Sequence, residues 1–200
     1  MQAAPRTLVA ALAALLVAAL AGCTTVRDTL PPRSATEQLL ISNAADRAAA
    51  QLTVGLRPAT KVYLDSSDFE GYDSKYAIGA ITEQILLRGG RLVPDRKGAD
   101  VVVAIRAGAL SVDQNDTLVG IPSLSVPVPL AGTLTTPEFA LFAKHQYRGV
   151  AKFAATAYEA DSGKIIAASG PSFGFSHRTH WVVLFLIAWN TDDLLPKDHQ

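Results

Sequence analysis

The single cysteine of this 200-residue chain is the feature that most restricts how the chain can fold. Because Cys23 has no second cysteine to pair with, no disulfide can form within the chain. A zinc site of the usual kind, held by several cysteines, is excluded for the same reason. The fold must therefore be held by an ordinary hydrophobic core, and a chain of this length is long enough to bury one.

Cys23 directly follows an apolar run from Leu8 to Leu20, and Arg6 supplies a positive charge ahead of that run. The thirteen residues of the run are fewer than the roughly 17–25 that a transmembrane helix needs. A basic residue, an apolar run and small residues before a cleavage point are typical of a signal peptide. We therefore predict a signal peptide at residues 1–22, a lipidated N-terminus and tether at 23–33, and a single globular domain at 34–200.

The segment Leu20-Ala21-Gly22-Cys23 resembles the lipobox of bacterial lipoproteins, in which the cysteine is acylated and becomes the first mature residue. This resemblance implies that Cys23 holds the protein to a membrane. Thr24, where an Asp would retain a lipoprotein in the inner membrane, implies the outer membrane, with the domain facing the periplasm. The alternative is an ordinary secretory signal followed by a coincidental cysteine.

Behind the tether, the residue pattern predicts an α/β (α+β) domain: a single mixed sheet of about five strands with two main helices packed on it. Ser34 and Glu37 have the spacing of a capping box before a helix from about Ala35 to Leu52. A second helix is predicted from about Tyr76 to Leu87, ending at a Gly-Gly pair. The predicted strands are Lys61–Asp65, Arg91–Pro94, Ala99–Leu110, His145–Glu159 and Lys164–Ser169.

Two apolar segments lie outside the predicted helices and strands. Residues 120–130 carry three prolines within eight residues, which excludes both a helix and a central strand. Trp181–Trp189 is too short to span a membrane as a helix, and its two tryptophans suit a membrane interface; the alternatives are a core strand or a terminal helix packed on the sheet. We predict partner or membrane contacts at Leu118, Ile121, Leu124, Val126, Val128, Leu130, Trp181, Phe185 and Trp189.

Three patterns suggest chemistry, and each has a structural alternative. Gly170–Gly174 matches the G-x-S-x-G nucleophile motif around Ser172, but Pro171 hinders the strained turn, so a Gly/Ser turn at a strand end is the alternative.

His177 and His180 could share one helical face and bind a metal, or be exposed polar residues. The acidic loop Asp65–Asp73 could hold calcium, but it fails the EF-hand pattern at both ends, and a solvated loop is the alternative. We predict no enzyme activity, no metal site and no cofactor.

Four segments carry a family resemblance: Arg33-Ser-Ala-Thr-Glu-Gln-Leu-Leu, Ala45-Asp-Arg, Gly120-Ile-Pro and Gly149-Val-Ala-Lys. They resemble a family of proteobacterial lipoproteins without an assigned activity, and the likeness spans nearly all of the mature chain. The order of strands and helices, with Ala99-Asp100 before a long strand, more distantly resembles the periplasmic domain of curli-secretion lipoproteins and of cell-wall-synthase activators. These resemblances imply a location and no chemistry.

The charge of the chain narrows the choice of partner. The 18 basic and 18 acidic residues balance, so no basic face is indicated and we predict no nucleic-acid partner. We expect a non-catalytic envelope lipoprotein that is attached to the membrane through Cys23 and binds a protein or lipid partner. The alternatives are a subunit of an oligomeric outer-membrane export or assembly complex, and a serine hydrolase that uses Ser172.

Overall fold

The computed structural model describes residues 33–128 and 132–195. The expectations for the signal peptide, Cys23, the tether and Leu130 therefore fall outside the described residues, as does the side chain of Val128. His199, the histidine that a Ser172 hydrolase would need, also lies outside them.

Both predicted helices form. Helix α1 spans Ala35–Gln51 and begins at the predicted capping box, where the Glu37 amide donates to Ser34 Oγ at 3.2 Å and the Ser34 amide donates to Glu37 Oε2 at 2.9 Å. Helix α2 spans Ser74–Leu87, two residues longer at its start than the prediction. Its buried stripe consists of Ala77, Ala80, Ile81 and Ile85.

Two leucines of these helices are exposed instead of buried. Leu39 of α1 is 38% exposed and Leu86 of α2 is 48% exposed. In α1 the alanines at 44, 45, 48 and 49 form the buried stripe with Leu40 and Ile41. The face that packs on the sheet is therefore lined by small side chains, which brings the helix backbone close to the strands.

The described strands are β1 Lys61–Asp65, β2 Arg91–Leu92, β3 Val101–Ile121, β4 Ser125–Val128, β5 Gly132–Thr135, β6 Phe139–Glu159, β7 Ile165–Val183 and β8 Ile187–Asp192. The main sheet contains six of them in the order β2-β1-β3-β6-β7-β8, more than the predicted five. In this sheet β1 pairs in parallel with β2 and β3, whereas β3, β6, β7 and β8 pair in antiparallel succession. The other two strands, β4 and β5, form a separate two-stranded sheet.

The three central strands are much longer than predicted. β3 continues to Ile121 instead of ending at Leu110, β6 starts at Phe139 instead of His145, and β7 continues to Val183 instead of ending at Ser169. Pairing runs without a break in the chain from Val101 opposite Glu159 to Ile121 opposite Phe139, apart from two bulges. The polar residues after Leu110 lack a buried face, so their strand conformation depends on pairing with a distant segment, which no local pattern reveals.

The proline-rich segment forms no helix among its described residues, as predicted, but the exclusion of a central strand is wrong at its start, where Gly120 and Ile121 end β3. Pro127 lies in β4, which pairs with β5 alone within the described part of the chain. A proline removes one amide donor, and this loss is tolerated in a strand that has a single partner. Residues 125–128 therefore form half of a small ribbon and take no part in the six-stranded sheet.

Helix α1 packs across β6 and β7, where two glycines lie directly beneath it. A Cβ at Gly149 would collide with the carbonyl oxygen of Leu40, and a Cβ at Gly174 would collide with that of Ala44. Between them, Ser176 Oγ donates a buried hydrogen bond to the Leu40 carbonyl at 2.6 Å. This close packing fixes the position of α1 on the sheet, with the core residues Phe153, Ile105 and Val103 beside it.

Candidate functional site

The long strands continue well past the helix that covers them. Ser176 contacts α1 at Leu40, and β7 then continues to Val183, an advance of about 23 Å at roughly 3.3 Å per residue. At this end, among the residues that the structure describes, lie eleven apolar residues that are each more than half exposed. We call them the distal apolar surface: Val119, Ile121, Leu124, Val126, Leu134, Phe139, Leu141, Leu184, Phe185, Leu186 and Ile187.

The structure brings several of the predicted contact residues together. Ile121, Leu124, Val126 and Phe185 all belong to the distal apolar surface. Leu118 and Trp181 are half-buried nearer the helices, while Trp189 is 44% exposed. The predicted contacts do not include Val119, Leu134, Phe139, Leu141, Leu184, Leu186 or Ile187. The apolar cluster Phe139-Ala-Leu-Phe before the predicted strand is the signal for two of them.

The segment Trp181–Trp189 forms a β-hairpin, so the expectation of a terminal helix is wrong. β7 ends at Val183, β8 begins at Ile187, and the Leu186 amide donates to the Val183 carbonyl at 3.4 Å across the turn. The two central residues of this turn, Leu184 and Phe185, both have a φ of 49°. Asn and Gly are the usual residues at such positions, and bulky side chains there are strained.

A row of tryptophan and lysine side chains borders the distal apolar surface on one face of the sheet. Lys144 pairs with Trp181, which pairs with Trp189. The two indole rings stack with centroids 6.1 Å apart, and Lys144 Nζ lies 5.2 Å from the Trp181 centroid. Trp181 Nε1 donates to Thr191 Oγ1 at 3.3 Å. This row combines apolar rings with a cation and a hydrogen bond.

A second polar row lies beside it on the other face of the same strands. His145 Nδ1 is 2.9 Å from Asp116 Oδ1, and the His145 and His180 rings stack at 6.2 Å. His180 Nδ1 is 2.8 Å from Asn190 Oδ1. Beyond the two rows, residues 118–128, 132–143 and 182–190 contain one charged residue, Glu138. The distal end is therefore apolar and nearly uncharged, with a polar boundary behind it.

The nucleophile motif does not adopt the geometry that its chemistry requires. Gly170–Gly174 lies in the interior of β7, where Ser172 pairs with Phe153 of β6. A nucleophile elbow needs a sharp turn between a strand and a helix, and β7 continues as a strand for another nine residues after Gly174. The strand-end turn that we expected as the alternative is also wrong, because the strand does not end there.

The positions of the side chains also bear on the two metal-site hypotheses, the histidine pair and the acidic loop. His177 and His180 lie on β7, so their side chains point to opposite faces, and the expected shared helical face is wrong. In the acidic loop, the Ser67 hydroxyl and amide donate to Asp65 Oδ1 at 2.8 and 3.1 Å, and these bonds hold the pKa of Asp65 below its usual range. Across residues 33–128 and 132–195, no three His, Cys, Asp or Glu side chains are grouped to hold a metal ion.

Asp193, the residue after β8, links this part of the chain to α1 through hydrogen bonds. Arg47 donates to Asp193 Oδ2 at 2.6 Å and to the Asp193 carbonyl at 2.9 Å, and the His177 amide donates to Asp193 Oδ1 at 2.7 Å. Burial pushes the pKa of Asp193 up, but the hydrogen bonds from His177 and Arg47 outweigh it and hold the pKa below its usual range. Leu194, which follows, is buried.

We expect this attachment to loosen in acid. A carboxyl group whose pKa is lowered by folding stabilises the native state above its unfolded pKa of about 3.9, and this stability is lost as the pH falls through the folded value. Protection factors at residues 177–194, which are amide exchange rates corrected for the intrinsic rate at each pH, should therefore fall below about pH 4. In Asp193→Asn these protection factors should already be low at pH 7 and change little on acidification. A wild-type profile without this fall in acid would contradict the assignment.

A shallow cleft of about 650 Å³ lies at the start of β7, away from the distal apolar surface. Its walls include Asp100 and Glu159. Asp100 accepts a hydrogen bond from the Lys61 amide at 2.8 Å, and Glu159 accepts one from Ser162 Oγ at 2.6 Å. Both carboxylates thus serve local structure, and we assign the cleft no function.

Comparison with known proteins places the chain in a family. The model of a family of unknown function (DUF6655) matches residues 17–187, which include α1, α2 and nearly all of the sheet. The predicted likeness to a family without an assigned activity is confirmed, whereas the distant likeness to curli-secretion lipoproteins stays a prediction. No curated protein matches the chain significantly. In the part of the chain that the structure describes, no helix is long and apolar enough to cross a membrane.

Proposed function

Since the chain belongs to DUF6655, a family of unknown function, we propose a function from its own sequence and structure. It is a non-catalytic, lipid-anchored protein of the bacterial envelope, held to the outer membrane through Cys23. It binds its partner, a protein or a lipid, through the distal apolar surface. The observation that carries this proposal is the exposure of so many apolar side chains at one end of the fold.

The extent of this exposure is what favours a binding role. Single exposed apolar residues are common and need no explanation, but large contiguous apolar patches on soluble domains usually mark interaction sites. Here all eleven residues of the surface are more than half exposed, and Leu186 is 79% exposed. The placement of Ser172 inside β7 favours binding over hydrolysis, because a serine held in an extended ladder lacks the exposed position of a nucleophile.

Substitution of the anchoring cysteine tests the location directly. We expect wild-type protein to incorporate labelled palmitate and to fractionate with the outer membrane, and Cys23→Ser to be unlabelled and either unprocessed or soluble. The physical reason is that each buried CH₂ of an acyl chain contributes about 0.8 kcal/mol to membrane attachment, so losing the acyl chains removes most of the anchor. Thr24→Ser is the matched control and should be labelled normally.

Either of two results would contradict this assignment. Wild-type protein that takes up no palmitate would show that Cys23 is not a lipidation site. A Cys23→Ser protein that is processed and still fractionates with membranes would show that the acyl chains are not the anchor. The second result would leave the distal apolar surface as the attachment point.

A second candidate is a subunit of an oligomeric export or assembly complex, favoured by one observation. Among the described residues, β8 pairs only with β7 and forms an edge of the sheet. An edge strand with unpaired backbone groups can add a strand from a neighbouring subunit. Crosslinking of the native membrane followed by sizing in detergent separates the candidates, since a ring or filament of this chain would favour the complex and a single copy would favour the simpler binding role.

A further inference from the structure

We propose that the distal apolar surface inserts into the leaflet that holds the acyl chains of Cys23. The domain would then contact the membrane at two points, through its lipid and through the end of its sheet. This inference rests on the proposed lipid anchoring and goes beyond it by naming lipid, instead of a protein, as the occupant of the surface. The direction of α1, the distribution of charge and the strained turn support it independently.

The direction of α1 brings the start of the domain towards the distal end. Leu40 contacts Ser176, and Ala44, one turn later, lies over Gly174. The helix therefore runs antiparallel to β7, and its first residues point towards Val183. From Leu40 back to Ala35, its first residue, the helix rises about 8 Å, which leaves roughly 15 Å between its start and the end of β7.

The length of chain before α1 is sufficient to reach the same membrane. Nine residues, 24–32, separate the anchoring cysteine from Arg33, which makes ten Cα–Cα steps. Ten extended residues span at most about 35 Å, more than the distance that remains to the distal end. Acyl chains on Cys23 and the distal apolar surface can therefore occupy one leaflet without any rearrangement of the domain.

The distribution of charge matches the profile of a membrane surface. Trp and Lys side chains favour the headgroup region, where an apolar ring or stem meets a polar tip. Trp181, Trp189 and Lys144 form such a row, and the turn at Leu184 lies about 10 Å beyond it. That distance is comparable to the 5–10 Å to which interfacial segments are buried. Glu138, the one charge beyond the row, has Oε1 3.9 Å from His145 Nε2.

The turn at the tip carries side chains that oppose its own stability. Leu184 and Phe185 occupy left-handed backbone positions that Asn or Gly would adopt with less strain. Strain of this kind points to a role for the side chains, and these two project apolar groups at the extreme end of the sheet. A specific protein interface would also need about one hydrogen bond per 100–200 Å². Hydroxyl groups between the apolar residues of this surface are already engaged: Ser125 Oγ lies 3.2 Å from Thr135 Oγ1, and Thr136 Oγ1 accepts from the Leu124 amide at 2.9 Å. Acyl chains require no hydrogen bonds.

The two tryptophans allow the inference to be tested in the full-length protein. They are the only tryptophans of the chain, so tryptophan emission reports on this row alone. The lipidated protein is reconstituted into phosphatidylethanolamine–phosphatidylglycerol vesicles containing lipid brominated at a shallow acyl position. We expect emission about twofold lower than in unbrominated vesicles, and weaker quenching by deeply brominated lipid, because the row lies at the headgroup level.

A matched pair of variants separates insertion from mere proximity to the anchor. Phe185 and Ile165 are both 61% exposed, but they lie at opposite ends of β7: Ile165 is its first residue, and Phe185 lies in the turn that follows its last. Phe185→Asp should abolish most of the quenching, because a charge at the tip opposes entry into lipid, while Ile165→Asp should be quenched like wild type. Asp tolerates a left-handed backbone, and Leu184→Asn/Phe185→Gly provides a second tip variant that the turn accepts.

Each outcome bears on one of the two proposals. Protein that floats with the vesicles but is not quenched overturns membrane insertion and leaves the lipid anchor intact, so that the surface would be assigned to a protein partner. Equal quenching of Phe185→Asp and wild type also overturns insertion. Protein that does not float with the vesicles overturns the anchoring itself. Quenching that is lost in both tip variants and retained in Ile165→Asp supports the inference.

Discussion

Replacing Gly174 with alanine is expected to lower the free energy of unfolding by about 3 kcal/mol, at the upper end of the usual effect of overpacking. The new methyl group would meet the carbonyl oxygen of Ala44 and the backbone of Ala48. These contacts are with helix backbone, which cannot rotate away as a side chain can. Helix α1 would have to shift along its whole length, and the buried bond between Ser176 and Leu40 would be lost with it.

The matched control lies four residues earlier in the same strand. At Gly170 an added Cβ has no neighbour within 4 Å, so Gly170→Ala should change the free energy of unfolding by about 0.5 kcal/mol or less. Urea unfolding of the detergent-extracted protein, followed by far-UV circular dichroism, measures both variants. If the two substitutions were equally mild, α1 would not lie as close to β7 as the structure has it.

The second large effect concerns the turn at the distal end. Leu184→Asn/Phe185→Gly should raise the free energy of unfolding by about 2 kcal/mol, since a left-handed backbone costs an ordinary residue about 1–2 kcal/mol. Both native side chains are more than half exposed, so little packing is lost. The same urea experiment measures the gain. A lower stability would contradict it and would mean that these side chains support the fold.

In this variant two measured quantities should change in opposite directions. The free energy of unfolding should rise, while the quenching of Trp181 and Trp189 by brominated lipid should fall. A substitution that only damaged the fold would lower both. Opposite changes would therefore separate a role in membrane contact from a role in structure, as expected where strain is retained for function.

Local features of the structure could be read directly from the sequence. The capping box at Ser34 and Glu37 and strand β1 form as predicted, and the first helix ends within one residue of its predicted end. Each depends on interactions among residues that are neighbours in the chain, such as the Ser34–Glu37 hydrogen bonds. The expected class of fold was also correct in outline, since its helices and its buried strands have clear periodicity.

The length of the sheet, in contrast, could not be predicted from the sequence. Between Ser111 and Thr117 the sequence is polar and has the composition of a loop, but it pairs with residues 144–150 of β6. Such pairing is set by register across a long separation in sequence, and it determines how far the sheet extends past α1. The two glycines beneath α1 are a similar case, because their importance depends on a helix more than 100 residues earlier.

The sequence by itself determined that Ile121 and Phe185 lie in apolar segments suited to contact a partner or a membrane, and that Cys23 precedes the domain. Only the tertiary structure decided that these segments meet at one end, together with Leu134 and Phe139. The physical reason is that hydropathy is a property of each residue, whereas a surface is formed by strand register and hairpin connections. That arrangement also decided which end of the sheet the start of α1 points towards.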